Sequence, residues 1–500
     1  MLQFVLGRAG SGKTEYLRRM LASLSRSGED KLIMIVPEQY SFETEKAMLE
    51  LCGTERANTV QIYSFTRLAE AVFRKEGGAA GRRLSDGGRR ILMSSALAAC
   101  EDQLEVYRKS AQSGRVTDIM LAAVNEMKMC GISPAQLSDT ARQLGNSGLG
   151  KKLSEIALLY GAFEALVAAS YLDSRDDLTR LAEALETSEF FRGCTVAVDS
   201  FEGFTAQEIA VLTQILRKAD LLAVSLCTDG QDRGGTGLFA LVERTRSRLL
   251  RMAEENGVQV KPPVLLTSAP RFQNENLKLL ETQLFSSDEL LPSPDHEGVE
   301  IFEARDVYEE AEFVAATIRR LTEEKGWRYR DFSIICRTPE QYYGSLDVAL
   351  KKRGIPSFVS EPSKVDAEPV MRFALGAFDA VQSGFSTDDL LEMLKTGVSG
   401  FTPEEISDLE NYVFLWRVNG SDWRQEFVRH PRGFGQAMTE EDEQELLRLN
   451  VLRERLIAPL RRFASSTGDA SGAEISQAVY DLLTDYHMEE NLPGILETGR

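Results

Sequence analysis

Eight consecutive residues near the start of the chain constrain its fold more than any other feature: Gly7, Arg8, Ala9, Gly10, Ser11, Gly12, Lys13 and Thr14. Their spacing, Gly-x-x-x-x-Gly-Lys-Thr, is that of a phosphate-binding loop. Such a loop sits between a buried strand and a helix, because its N–H groups converge on an anion that also meets the positive end of the helix dipole. The flanks agree. Residues 1–6 (MLQFVL) form an apolar run of strand length, and residues 13–24 read as a helix. Strand, loop and helix in that order imply a parallel α/β sheet. In that setting the glycines let backbone N–H groups turn around a β-phosphate, Lys13 neutralises the β and γ oxygens, and the Thr14 hydroxyl reaches Mg²⁺. The eight residues are therefore expected to bind ATP.

Further along, residues 31–36 (KLIMIV) and 59–63 (TVQIY) read as a second and third strand. From Phe65 the texture changes, with Phe65, Leu68, Ala69, Val72 and Phe73 at helical spacing and helices running to about Glu189. Strand signals return at 195–199 (TVAVD) and 221–226 (LLAVSL). A discontinuous first domain is expected, 1–65 with 190–285, around a helical insertion at 66–189. Residues 286–299, rich in Ser, Pro and acidic side chains, read as a linker. Beyond it, Glu300 to Phe302 and residues 332–336 (FSIIC) read as strands around a helix marked by Val307, Ala311, Val314, Ala315, Ile318 and Leu321. A second α/β domain is thus expected to begin over 300–396, followed by helices over 397–500 with a loop at 464–472. No short repeat is present, but two α/β blocks each trailed by helices suggest duplication.

Composition excludes several classes. A net charge of -19 argues against a generic basic nucleic-acid binder, although an acidic protein can still line one groove with cations. Two arginine clusters interrupt the acidity: Arg82, Arg83, Arg89 and Arg90, and Arg244, Arg246, Arg248 and Arg251. Each reads either as a DNA-lining stripe or as a solvated helix face. Six cysteines lie scattered without paired spacing, so no zinc or iron-sulfur framework is written here. His296, His430 and His487 are isolated, which leaves a histidine-based acid/base or metal site without support. No apolar stretch reads as membrane length and no secretory leader precedes the loop, so a cytoplasmic chain without membrane contact is expected.

A phosphate-binding loop also needs an Asp at the end of another buried strand to help hold Mg²⁺. Asp199 is the candidate, with an Asx turn or helix cap as its alternative role. Its neighbour is Ser200 rather than Glu, and Glu202 lies two positions past the place of an adjacent Glu. Metal binding with weak hydrolysis follows. Arg337, just after residues 332–336, reads either as a γ-phosphate contact or as a surface arginine in a turn.

Taken together the chain resembles the N-terminal part of the AddB family, the B subunits of bacterial ATP-dependent helicase/deoxyribonucleases. The similarity lies in FVLGRAGSGKT (4–14), IVPEQYSFETEKAML (35–49), VQIYSFTRLAEAVFRKEGG (60–78), VAVDSFEGFTAQEIAVL (196–212), WRYRDFSIICRTPEQY (327–342) and KKRGIPSFV (351–359). The resemblance implies a superfamily 1 helicase-like architecture, with two RecA-like domains each carrying a helical insertion. It also implies a heterodimer with a helicase/nuclease A subunit that processes double-strand DNA ends for recombination and repair, contacts single-stranded DNA, and works in the cytoplasm at the nucleoid. In many members the AddB protein helps recognise a regulatory hotspot sequence. Two departures matter: only six residues precede Gly7, leaving no room for an upstream adenine-reading glutamine, and Asp199-Ser200 replaces an Asp-Glu pair. Both fit a degenerate helicase whose own ATPase is weak or absent. The family's nuclease domain and four-cysteine iron-sulfur cluster belong to its C-terminal region, and none of their residues is among these 500, so no nuclease activity is expected of them. The chain reaches Gly499-Arg500 without later helicase motifs, which suggests part of a longer protein. A DNA-scanning scaffold with a vestigial loop, and an autonomous P-loop ATPase, are the competing readings.

Overall fold

Six strands form one wholly parallel sheet: β1 (Leu2–Gly7), β2 (Leu32–Ile35), β3 (Val60–Tyr63), β4 (Thr195–Val198), β5 (Leu221–Cys227) and β6 (Val264–Leu266), in the order β3-β2-β4-β5-β1-β6. The computed structural model describes residues 1–53, 56–78, 80–111, 113–231, 236–285, 291–292, 297–358, 365–435 and 437–490. Every residue of β2 and β4 is buried, as expected of strands covered on both faces. Their side chains alternate between two cores. Val5, Leu32, Met34, Ala197 and Ala223 face a layer built with Leu17 and Leu21 of α1 (Lys13–Arg26) and Met48 of α2 (Ser41–Cys52). The small residues Ala197 and Ala223 lie in the same core as the leucines of α1. Phe4, Leu6, Ile33, Val196 and Val224 belong to the opposite core. That core is completed by α3 (Phe65–Glu76), α8 (Asp177–Thr187), α9 (Ala206–Lys218) and α10 (Ala240–Glu255).

Strands β3 and β4 belong to the same sheet although more than a hundred residues separate them in the chain. Between α3 and α8 run α4 (Asp86–Cys100), α5 (Gly114–Met129), α6 (Pro134–Gln143) and α7 (Gly148–Ser170). Met93, Leu97, Met120, Val124, Leu159 and Phe163 give α4, α5 and α7 a core of their own. An ionic network is buried in this group: Arg89 pairs with Asp173, and Lys128 Nζ lies 3.0 Å from Asp173, 2.7 Å from Asp176 and 2.7 Å from Glu164. The expectation that no stretch reaches membrane length is corrected by α7, whose 23 residues are long and apolar enough to cross one. Leu159, Tyr160, Phe163 and Val167 pack in the helical core instead, and Glu155 accepts the N–H groups of Glu105, Val106 and Tyr107, so α7 is a core helix. The first unit ends after α11 (Glu275–Gln283), and the expected linker at 286–299 lies largely outside the described residues.

The chain divides into two compact units, Met1–Phe302 and Glu303–Arg500. In the second, α12 (Val307–Lys325) and α13 (Leu346–Lys352) share a small core around Ala315, Ile318 and Leu350. A larger core joins α14 (Pro369–Gln382), α15 (Thr387–Leu394), α16 (Pro403–Trp416), α17 (Glu440–Thr467) and α18 (Gly472–Asp485). The expected strands at 300–302 and 332–336 do not form: among the described residues no strand follows β6. Apolar runs this short become strands only where a neighbour completes their hydrogen bonds, and here Ile301 and Ile335 are each 94% exposed. The expected loop at 464–472 is also shorter, because Phe463 and Ala464 pack into the helical core and carry α17 on to Thr467.

Candidate nucleotide-binding site

The glycine-rich loop leaves the carboxyl end of β1 at Gly7 and enters α1 at Lys13. Its glycines are sterically required at two places. A Cβ on Gly7 would lie 2.3 Å from Ser11 Oγ and 2.8 Å from the carbonyl oxygen of Leu266 in β6. Gly10 has φ +73°, and a Cβ there would lie 2.8 Å from the ring of Phe272. Helix α1 begins at Gly12 with no side-chain cap, whereas α3 and α9 are capped by Ser64 and Thr205. Its first N–H groups therefore remain available to an anion. The Ser11 hydroxyl is buried and without a hydrogen-bond partner among the described residues. Ala9 is exposed in the loop, and Thr14 is half-buried in the first turn of α1.

Lys13 donates to the carbonyl oxygens of Gly7 at 2.8 Å and Arg8 at 2.9 Å. Burial pushes its ammonium below the ordinary lysine pKa; Cys227, Asp199 and Glu281 oppose the shift and Arg271 adds to it. Arg8 Nε donates to both carboxylate oxygens of Glu281 in α11, at 3.0 and 3.1 Å, and its guanidinium lies 5.2 Å from the centroid of the Phe239 ring. Asp199 directly follows β4 and is buried; its carboxylate accepts from the hydroxyls of Ser225 and, at 3.2 Å, Ser200. The next helix is capped by Thr205, not by Asp199. Glu202 is exposed. No group of three or more metal-ligating side chains gathers among the described residues.

The loop turns at the carboxyl end of a parallel sheet, the end where such folds bind ligands. A family model for the N-terminal part of ADDB matches residues 4–281, more than half of the chain and the whole stretch from β1 into α11. The chain belongs to the AddB family. The AddB relatives similar to it include those of Thermoanaerobacter sp. (strain X514), 31% identical over 504 residues, and Caldanaerobacter subterraneus subsp. tengcongensis, 30% over 505, each covering 99% of this chain. A third, from Acetivibrio thermocellus, is 28% identical over 510 residues and covers 100% of it. Each carries the name of the B subunit of an ATP-dependent helicase/deoxyribonuclease. The chain spans 44% of each of these AddB proteins, less than half their length.

The remaining sequence candidates of this AddB chain divide by environment. Arg89 is neither a solvated nor a groove residue, being buried against Asp173 and Asn125. Arg83 pairs with Asp177 at 2.9 Å and Arg90 with Asp118, while Arg82 is exposed. On α10, Arg246 pairs with Glu243 at 3.1 Å, and Arg244, Arg248 and Arg251 are exposed. Arg337 belongs to the second unit and lies exposed in a bend. Sequence reasoning missed Ser225, Thr228, Glu243, Phe272 and Glu281. Thr228 alone carried a signal, since it follows the end of a predicted strand where ligand-site residues of parallel sheets gather.

Proposed function

We propose that this chain is the nucleotide-binding, helicase-like part of the B subunit of an ATP-dependent helicase/deoxyribonuclease, with residues 7–14 as its ATP-binding phosphate loop. The observation that carries the reading is the uncapped start of α1 beside a buried, unpartnered Ser11 hydroxyl and the Lys13 ammonium, three features that a phosphate chain would satisfy together. The RecA-like assignment is supported by the strand order, in which β5 separates the loop strand β1 from the Asp199 strand β4. We read 1–65 with 190–285 as one such domain and 66–189 as its insertion, and 300–396 as a separate region followed by helices over 397–500.

The donor set fits a hard cation bound with phosphate oxygens: the Thr14 hydroxyl and the Asp199 carboxylate supply oxygen ligands, and Mg²⁺ takes few protein ligands when phosphates complete its shell. When bound, the ion would neutralise β and γ oxygens. Lys13 would turn from the carbonyls to the same oxygens. Ser200 in place of Glu leaves no adjacent carboxylate to position water, so hydrolysis is slow. The exposed Arg244, Arg248 and Arg251, with Arg82, are the proposed DNA contacts, and Arg83 and Arg246 support them from their ion pairs. Duplex ends and single strands are the substrates, the helicase/nuclease A subunit is the partner, and the cytoplasm is the compartment. Among the described residues no group of side chains gathers that could hold an iron-sulfur cluster.

Nucleotide binding and turnover measured together, with and without DNA ends, test this reading. Saturable ATP binding with turnover near background is expected. Turnover at helicase rates that Asp199→Asn abolishes would contradict the degenerate assignment.

A further inference from the structure

The hydrogen bonds around Gly7 lead out of the loop into helix α10. The Gly7 carbonyl accepts from two donors, Lys13 Nζ at 2.8 Å and the Thr228 backbone N–H at 3.1 Å. The Thr228 hydroxyl donates to Glu243 Oε1 at 2.6 Å, with both residues buried. Arg246 donates to the other carboxylate oxygen of Glu243 at 3.1 Å. Two more contacts tie the same helix to the site. Phe239, the residue at the start of α10, carries the Arg8 guanidinium over its ring, and Thr245 Oγ1 donates to the Glu202 carbonyl at 3.1 Å in the segment after Asp199. The outward side of α10 presents Arg244, Arg248 and Arg251 at spacings of four and three residues, which align on one helix face.

We propose that Glu243 is a positioning residue through which α10 couples the nucleotide loop to a nucleic-acid strand on the Arg244, Arg248 and Arg251 face. This rests on the nucleotide reading above. The Lys13 ammonium sits on the Gly7 and Arg8 carbonyls. A triphosphate draws that ammonium away, leaving the Gly7 carbonyl to the Thr228 N–H. A buried carboxylate that loses its hydroxyl donor keeps its desolvation penalty, so Glu243 and its helix follow Thr228. The two positions of Lys13 thus become two positions of α10, and any strand on its arginine face biases the loop in return.

The test is a thermodynamic square. The affinity of the 500-residue chain for a fluorescent single-stranded oligonucleotide is measured with and without a non-hydrolysable ATP analogue and Mg²⁺, and the affinity for the analogue with and without the strand. The expected coupling is a change of about fivefold or more, equal in both directions of the square. Glu243→Leu and Thr228→Val should return the coupling factor to one whatever each does to the affinity for either ligand alone, and Glu243→Gln, which keeps an acceptor for Thr228, should restore part of it. If Glu243→Leu does not fold, Thr228→Val decides. A wild-type chain that binds both ligands without mutual effect overturns the relay and leaves the nucleotide reading intact. Variants that keep full coupling overturn it too, and a chain that binds no analogue overturns both.

Discussion

The ammonium of Lys13 lies 2.8 Å from the carbonyl oxygen of Gly7, so the cation expected to meet a phosphate is held by the loop it belongs to. The hold is modest, since burial already disfavours the charge and the two carbonyls only partly replace its water. A triphosphate offers the same ammonium charge-assisted partners.

That environment gives nucleotide binding a pH dependence. Because burial lowers the Lys13 pKa, the ammonium is lost as pH rises through a value below the ordinary lysine value of about 10.4, and affinity should fall with it. Lys13→Arg, whose guanidinium stays charged, should bind more weakly at pH 8 but flatten the profile up to pH 10. An equally steep profile in Lys13→Arg would place the titration elsewhere.

Gly10 tests the shape of the loop. Its φ of +73° and the nearby Phe272 ring leave no room for a side chain. Gly10→Ala should cost about 1–2 kcal/mol of stability from the left-handed backbone alone. It should also weaken ATP binding, and a variant with unchanged melting temperature and affinity would show that the loop does not hold this conformation.

The arginine face of α10 makes a salt-dependent prediction. Reversing Arg244, Arg248 and Arg251 to Glu should weaken strand binding and flatten the logarithmic salt slope by about 0.7 for each single-strand phosphate that is no longer neutralised. An unaltered slope would mark the face as merely solvated.

In the helical group between β3 and β4, Lys128 compensates the buried carboxylate of Asp173 and the half-buried ones of Asp176 and Glu164. Lys128→Met should destabilise the fold by about 3–5 kcal/mol, because it strands buried charge. Chemical denaturation measures this, and a loss below about 1 kcal/mol would mean that the network is solvated.

The loop was legible because all eight of its residues are neighbours in sequence, and β1, β2, β4 and β5 were legible as predominantly apolar runs. Strand β6 was missed because its three residues carry no period, and only their register on Val5, Leu6 and Gly7 makes them a strand. The reverse error arose at residues 332–336, where apolar content was present but no ladder partner was. The rest of the site was illegible for a topological reason. Thr228, Glu243, Phe272 and Glu281 reach the loop across more than two hundred residues of chain, and neither spacing nor charge pattern encodes that approach. Arg89 misled because a charge cluster in sequence does not distinguish a surface from a buried ion pair.

Calorimetric titration of the purified chain with ATP and Mg²⁺, beside Lys13→Ala, tests the central claim most directly. One saturable site is predicted for the wild type, weakened about tenfold to a hundredfold in the variant, as expected for loss of a charge-assisted hydrogen bond. Equal affinity in the two proteins would contradict the assignment of this loop as the nucleotide site.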